Sequence, residues 1–399
     1  AERGDFSGAD AGLLEAADAA TAAGHARALA SVRVRQVGLY AATERVDEIV
    51  PAIDRAEAAI EQVTYDAELA VQSLVAVAAA VPQDQPTRML ALGRRAAAIL
   101  ETAPHLAYDE YRGAAIAQSS ALLALGRPAE ATAAWQPADL KLEELLDGAP
   151  PQDVPGLLND QGVARYFRGD LPGAVQSFEA ALVPAREQGD SALVLAMLGN
   201  IVEVHRETDA AAAALSRSEE LLPLIAAADP DHPGPQSYSK ALSTHAAILV
   251  DLGRFEDAAA SLDEAVAEDE SGDPTLRLSL AAARFVSGQR EAAAEHARAV
   301  LAPLRERGLP LVDATALAAA CKLARGEVAE AIVDLDVPAI LVEDRHGLAH
   351  RTLAAALHEA GRDEVRVAAL RKAASELPPA EAALWRALGD AVDALAPIR

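Results

Sequence analysis

Through most of the chain apolar residues keep the steps of three and four that place them on one face of an α-helix. Glycine interrupts these runs at a near-constant interval: Gly253, Gly288, Gly326 and Gly361 are separated by 35, 38 and 35 residues. Five positions beyond each stands Ala258, Ala293, Ala331 or Arg366, and the same step recurs upstream as Gly126 to Ala131 and Gly169 to Ala174. A punctuated period in the thirties predicts stacked helical hairpins, because a single hairpin cannot bury its apolar face and gains a core only by stacking on neighbours. Such an array lengthens one unit at a time, so residues 1–399 are read as one all-α solenoid rather than as two or three globular domains.

The clearest unit, from 156 to 186, carries Leu158, Gly162, Gly169, Leu171, Ala174, Phe178 and Ala181. Gly162 would let the first helix approach its partner, Gly169 would end that helix in a left-handed turn, and Ala174 would sit where the two helices cross. Phe178 and Ala181 then face the next unit at helical spacing. The pattern resembles the tetratricopeptide repeat. The following unit holds Leu195, Leu198, Gly199 and Asn200, similar to the family's Leu-Gly-Asn segment, and continues to Ala211 and Leu215, with Arg206 where the turn glycine is expected. Leu242, Ala246, Leu249, Gly253, Phe255, Ala258, Leu262 and Ala265 form a close copy, and weaker ones follow to Gly361, Leu370 and Ala373. Upstream, Gly126, Ala131 and Trp135 mark a further unit, while pairs near 40–56 and 69–100 keep the amphipathic period without turn glycines. The resemblance implies a right-handed superhelical solenoid of stacked antiparallel helix pairs.

Trp385, Leu388 and Gly389 match the family's Trp-x2-Leu-Gly opening of a first helix, so residues 383–399 are expected to form a terminal capping helix. Gly4, Phe6 and Ala9 read as the turn and second helix of an incomplete N-terminal unit, which marks the chain as the repeat region of something longer. Proline-rich breaks at 148–156 and 229–237 fall between units and are candidate block boundaries, whereas Pro51 and Pro303 fall within second helices.

Composition narrows the function. With 51% hydrophobic but only 3% aromatic residues, the helices must meet through Ala, Leu and Val at close approach. A net charge of −26 argues against DNA, RNA or an anionic membrane surface as partner, since each is bound mainly through Lys and Arg. Cys321 is the only cysteine, which excludes an internal disulfide and a thiolate cluster, and its apolar run makes it a small core residue. No run approaches the roughly 18 apolar residues of a membrane span and no signal peptide opens the chain, so a cytoplasmic location is expected.

Chemistry is sparse. There is no Walker-type phosphate loop, dinucleotide turn or nucleophile elbow. His346 and His350 stand four apart on an expected helix, without the Glu of a zincin or a third ligand nearby. Glu268, Asp269, Glu270 and Asp273 lack the alternation and central glycine of a calcium loop. An all-helical terpenoid cyclase would need an aromatic cavity and an Asp-rich magnesium motif, and neither is present. No catalytic residue, metal or cofactor is expected.

In tetratricopeptide arrays first-helix side chains line the concave groove. The resemblance therefore implies a peptide-binding groove of Asn159, Asp160, Val163, Tyr166 and Phe167, then Met197, Asn200 and Glu203, then Lys240, Ser243, Thr244 and Asp251. Asp313, Arg351, His358 and Glu359 would face inward farther along. Asn159 and Asn200 suit an extended peptide backbone, and Tyr166, Phe167 and Met197 suit an apolar side chain, although Phe167 and Met197 equally suit the core between repeats. Family members that hold an acidic chaperone tail use clustered Lys, Arg and Asn; here Lys240 and Arg351 are about three units apart. The expected partner is thus a basic or apolar protein segment, and the expected function is non-catalytic protein or peptide binding. The alternative is a sensor or regulatory arm of a larger bacterial signalling ATPase, transcription regulator or caspase-like protease.

Overall fold

A computed structural model describes residues 6–43, 45–227, 237–269, 272–306, 311–377 and 383–395. The chain divides into two compact units, Ala1–Asp190 and Ser191–Arg399. Among the described residues there is no strand.

The first unit runs α1 (Phe6–Ala22), α2 (Ala26–Ala42), α3 (Val46–Ile60), α4 (Ala67–Ala79), α5 (Pro86–Thr102), α6 (Tyr108–Ala124), α7 (Pro128–Ala133), α8 (Gln136–Asp147), α9 (Val154–Phe167) and α10 (Leu171–Gln188), with a 3-10 turn at Glu61–Val63. α1 packs on α2, and the pairs are α2 with α3, α4 with α5, α6 with α7 and α8, and α9 with α10. First helices also touch in sequence, α2 to α4, α4 to α6 and α6 to α9. Side-chain caps start α4 and α10, where Asp66 and Asp170 accept backbone N–H bonds from Leu69 and Gly173. Pro137 explains the division of α7 from α8: lacking an N–H, it is tolerated in the first turn of a new helix but not within a continuing one. Ile53, Ile60, Leu74 and Leu92 centre the core between α3, α4 and α5.

The second unit runs α11 (Ser191–Glu207), α12 (Ala211–Ala226), α13 (Tyr238–Asp251), α14 (Phe255–Ala267), α15 (Pro274–Val286), α16 (Arg290–Glu306), α17 (Val312–Ala324), α18 (Val328–Leu335), α19 (Pro338–Glu343), α20 (Leu348–Glu359), α21 (Glu364–Glu376) and α22 (Ala383–Asp393). Hairpins α11–α12, α13–α14, α15–α16, α17–α18 and α20–α21 stack so that each second helix, α21 aside, meets the next first helix. One apolar cluster runs from Leu242 to Val392, built mostly from Ala and Leu around Phe285, as an aromatic-poor composition requires. Cys321 lies fully buried in it.

The turn glycines bear out the expected punctuation: Gly126, Gly169, Gly253, Gly288, Gly326 and Gly361 have φ between 61° and 86°. The residues five beyond are buried alanines except Arg366, which pairs with Asp336. One turn needs correction. Arg206 lies inside α11, and the left-handed position belongs to Asp209, with φ 53°. Aspartate is among the few side chains that tolerate this region, because its short carboxylate can bond locally.

Pro51 and Pro303 sit inside α3 and α16, both second helices. The 148–156 break lies within the first unit, its last three residues already belonging to α9. Gly4, residues 229–236, Glu270 and residues 396–399 lie outside the described residues.

Candidate binding surfaces on the first helices

In the first unit α9 is seated on α10 by complementary shape and a polar lock. A side chain at Gly162 would meet the Phe178 ring, so the two helices approach where only hydrogen fits. The Arg165 guanidinium donates from Nη1 to the Gly173 carbonyl and the Ser177 hydroxyl, each at 3.0 Å, and Ser177 Oγ donates to Gln161 Oε1 at 3.0 Å. With α9 fixed, Phe167 stacks on Trp135 at 5.9 Å between centroids and meets Tyr166 edge-on at 5.5 Å. Trp135 is fully buried, whereas Phe167 is 36% exposed.

Ion pairs frame this stack. Arg168 pairs with Asp139, and Arg112 bonds Asp109 at 2.7 Å and lies 3.7 Å from Asp160. Burial raises the carboxyls of Asp139 and Asp160 above the ordinary range, with the arginines pulling the other way. Tyr108 Oη and Trp135 Nε1 are buried in one apolar cluster and make no hydrogen bond. Asn159, Asp160, Val163 and Tyr166 are half-buried, so all five first-unit groove candidates keep some surface. Trp135, Arg112 and Asp139 were not singled out by the sequence as site residues. Trp135 did mark its repeat, but nothing in its spacing showed that it would stack on the end of α9.

The second-unit candidates fare unevenly. Met197 is fully buried and leaves no surface for a ligand, a correction to its placement in the groove. Val194, Leu195, Leu198, Ile201, Val202 and Val204 are buried on the same helix, so α11 is a core element on most sides. Asn200 is half-buried, Glu203 is exposed and pairs with Arg206 at 3.2 Å, Lys240 is exposed, and Thr244 is half-buried on α13.

The first-helix face of this unit carries an occupant. α22 packs against α15 and α20 and reaches α13, burying Leu384, Leu388 and Val392. Trp385 lies face to face with His346, 5.6 Å between centroids and 3° between planes. Arg351 Nη1 is 2.6 Å from Asp393 Oδ2 and 3.7 Å from Asp390 Oδ1, and Gly389 lies against the same arginine. Beside the first turn of α22 opens a cavity of about 670 Å³, lined by Ser243, Ala247, Val250 and Asp251 of α13, Ser279 of α15 and Trp385.

His346 is not on a helix with His350: it precedes α20, whose start is set by Gly347 in the left-handed conformation. His346 Nε2 is 3.7 Å from Asp313 Oδ2. The fully buried Asp344 carboxylate accepts both the backbone N–H and ring Nδ1 of His350, at 2.9 and 2.7 Å, which fastens the entry to α20. Among the described residues no three His, Cys, Asp or Glu side chains gather as metal ligands. Burial pushes the Cys321 thiol up to about 12. Asp273 caps α15 by accepting the Thr275 N–H, and Asp269 accepts the N–H of Asp273, so these acids order a helix start. Among the described residues no helix is long and apolar enough to cross a membrane.

No family profile and no curated protein sequence matches this chain. Solved structures do resemble it. A signal transduction ATPase with numerous domains, with a tetratricopeptide repeat sensor, from Pyrococcus horikoshii superposes with a TM-score of 0.50 and 16% identity, over 86% of this chain and 52% of that one. This chain therefore spans about half of that protein. A tetratricopeptide repeat protein from Parabacteroides merdae gives 0.44 and 16%, over 71% of this chain and 98% of that one, and the apo form of RapI gives 0.49 and 10%, over 87% and 97%. At such identities the likeness concerns backbone architecture alone. With its antiparallel helix pairs and left-handed turns, this chain has a tetratricopeptide-like α-α repeat fold.

Proposed function

We propose that this chain is a non-catalytic scaffold that binds a protein or peptide on its first-helix faces. The observation that carries the reading is the surface of α9: a helix locked through Gly162, Arg165 and Gln161 presents Asn159, Asp160, Tyr166 and Phe167, partly exposed, over a rigid aromatic stack. Amide and carboxylate groups beside pre-ordered rings suit a peptide backbone and an apolar anchor at little ordering cost. In the second unit Asn200, Glu203, Lys240 and Thr244 are the accessible counterparts.

The partner is a basic or apolar segment rather than nucleic acid or an anionic membrane, given the net charge of −26. The working location is the cytoplasm. The test treats the units separately. Tyr166→Ala and Asn200→Ala are each compared with wild type for partner capture from a cell extract, with helicity and melting measured alongside. Reduced capture at unchanged helicity supports the corresponding surface, and unchanged capture removes it.

A second reading is a sensor or regulatory arm of a larger bacterial signalling protein. It is favoured by the superposition on a protein that joins a tetratricopeptide repeat sensor to an ATPase, of which this chain spans 52%. An ATPase, DNA-binding or protease domain in the full-length gene product would support the arm. Only a few additional residues would favour the free-standing scaffold.

A further inference from the structure

We infer that α22 is a built-in competitor for the first-helix face of the second unit, and that the partner of this face is an amphipathic helix with the same apolar ridge and acidic edge. The inference rests on the groove-binding reading and adds the shape and chemistry of the ligand. A helix that only closed the end of the array would pack on the last hairpin, α20–α21. Instead α22 contacts α20, α15 and α13, crossing first helices of hairpins far apart in the chain. It does so as a bound amphipathic helix does, with large apolar side chains at i, i+4 and i+8 pointing into the face. Those positions are Leu384, Leu388 and Val392, at 9%, 0% and 0% exposure.

Three further contacts specify the ligand. Gly389 lies alongside the Arg351 side chain, which is 3.4 Å from where an added Cβ would stand. Asp390 and Asp393, one turn apart, give that arginine its carboxylates at 3.7 and 2.6 Å. Trp385 covers His346. The match is incomplete at the N-terminal end of α22, where the cavity of about 670 Å³ continues toward α13. A partner helix with the same ridge, prolonged by one turn, would enter this space beside Arg206, Asp209 and Asp251 and gain contacts that α22 lacks. A helix of 11 residues has little stability apart from its packing, so α22 can exchange for such a partner once undocked. Because α22 competes at high local concentration, the face has low apparent affinity until the partner offers more than α22 does.

The test uses the full chain and a fluorescein-labelled peptide of residues 383–395 as probe. In the Leu388→Asp chain, where α22 can no longer dock its central residue, peptide anisotropy should report binding at least ten-fold tighter than to wild type. Adding Arg351→Glu should weaken it again. Absence of peptide binding to a Leu388→Asp chain of wild-type helicity overturns the inference. If that variant loses helicity, hydrogen exchange of the wild-type chain decides. Amides of α22 exchanging at least ten-fold faster than those of α20 support a displaceable helix, and equal rates overturn it. Peptide binding that persists when neither Tyr166→Ala nor Asn200→Ala affects partner capture would keep this inference and remove the earlier assignment of binding residues.

Discussion

Gly162 faces the ring of Phe178 so closely that an added Cβ would lie 2.8 Å from the ring Cζ. Phe178 is itself buried, so the ring has little room to retreat. Gly162→Ala should therefore destabilise the first unit by about 1–3 kcal/mol, outweighing the gain in helix propensity of about 1 kcal/mol. Urea unfolding would measure the loss. Phe178→Leu in the Gly162→Ala background should recover part of it, since the two positions are coupled by contact.

Asp209 occupies a left-handed turn position that six glycines fill elsewhere. An L side chain there costs roughly 1 kcal/mol that glycine avoids, partly offset by the greater freedom of glycine in the unfolded chain. Asp209→Gly is expected to raise the melting temperature of the second unit by a few degrees. A lower melting temperature would mean that the Asp209 side chain contributes more to the turn than its backbone strain removes.

Asp160 supplies a pH prediction. Burial raises its carboxyl above the usual 3.8, so at pH values just above 3.8 the unfolded chain has released this proton while the folded chain still holds it. Stability at this site is thus greatest below that range and falls as pH rises through the folded pKa. Asp160→Asn removes the fall, and Arg112 keeps Asp109 as partner at 2.7 Å. The variant should melt higher than wild type at pH 7 and equally at pH 3, as followed by circular dichroism.

The thiol of Cys321 is buried in the Ala-rich core and holds its proton well into alkaline solution. Since the thiolate is the reactive form, a thiol-specific alkylating reagent at pH 8 should label the folded chain far more slowly than the urea-unfolded chain. Cys321→Ala should leave partner capture unchanged. Rapid labelling at native helicity would show that α17 opens to solvent without global unfolding.

The repeat was legible because its turns need backbone conformations that glycine supplies most readily, and such positions show plainly in a one-dimensional string. Asp209 escaped because another residue type met the same backbone demand. The groove register was less legible. On α11 nearly every turn presents apolar residues to some neighbour, so helical spacing alone could not separate Met197 in the core from Asn200 at the surface. Likewise Trp385, Leu388 and Gly389 announced a terminal helix but not which helices it would cover, since that depends on packing against elements as distant in sequence as α13. His346 and His350 were placed on one helix because four-residue spacing cannot reveal that Gly347 ends the preceding turn between them.

The chain has two tryptophans, and the fold assigns one to each unit. Trp135 is sealed in the first unit, while Trp385 rides on α22 against an imidazole ring. The departure of α22 would take the Trp385 indole from its packed place on the His346 ring into water and red-shift its emission, while the signal of buried Trp135 held constant. The protein thus has a native fluorophore at the moving contact and an internal reference, and a ligand's arrival can be timed in the unlabelled molecule.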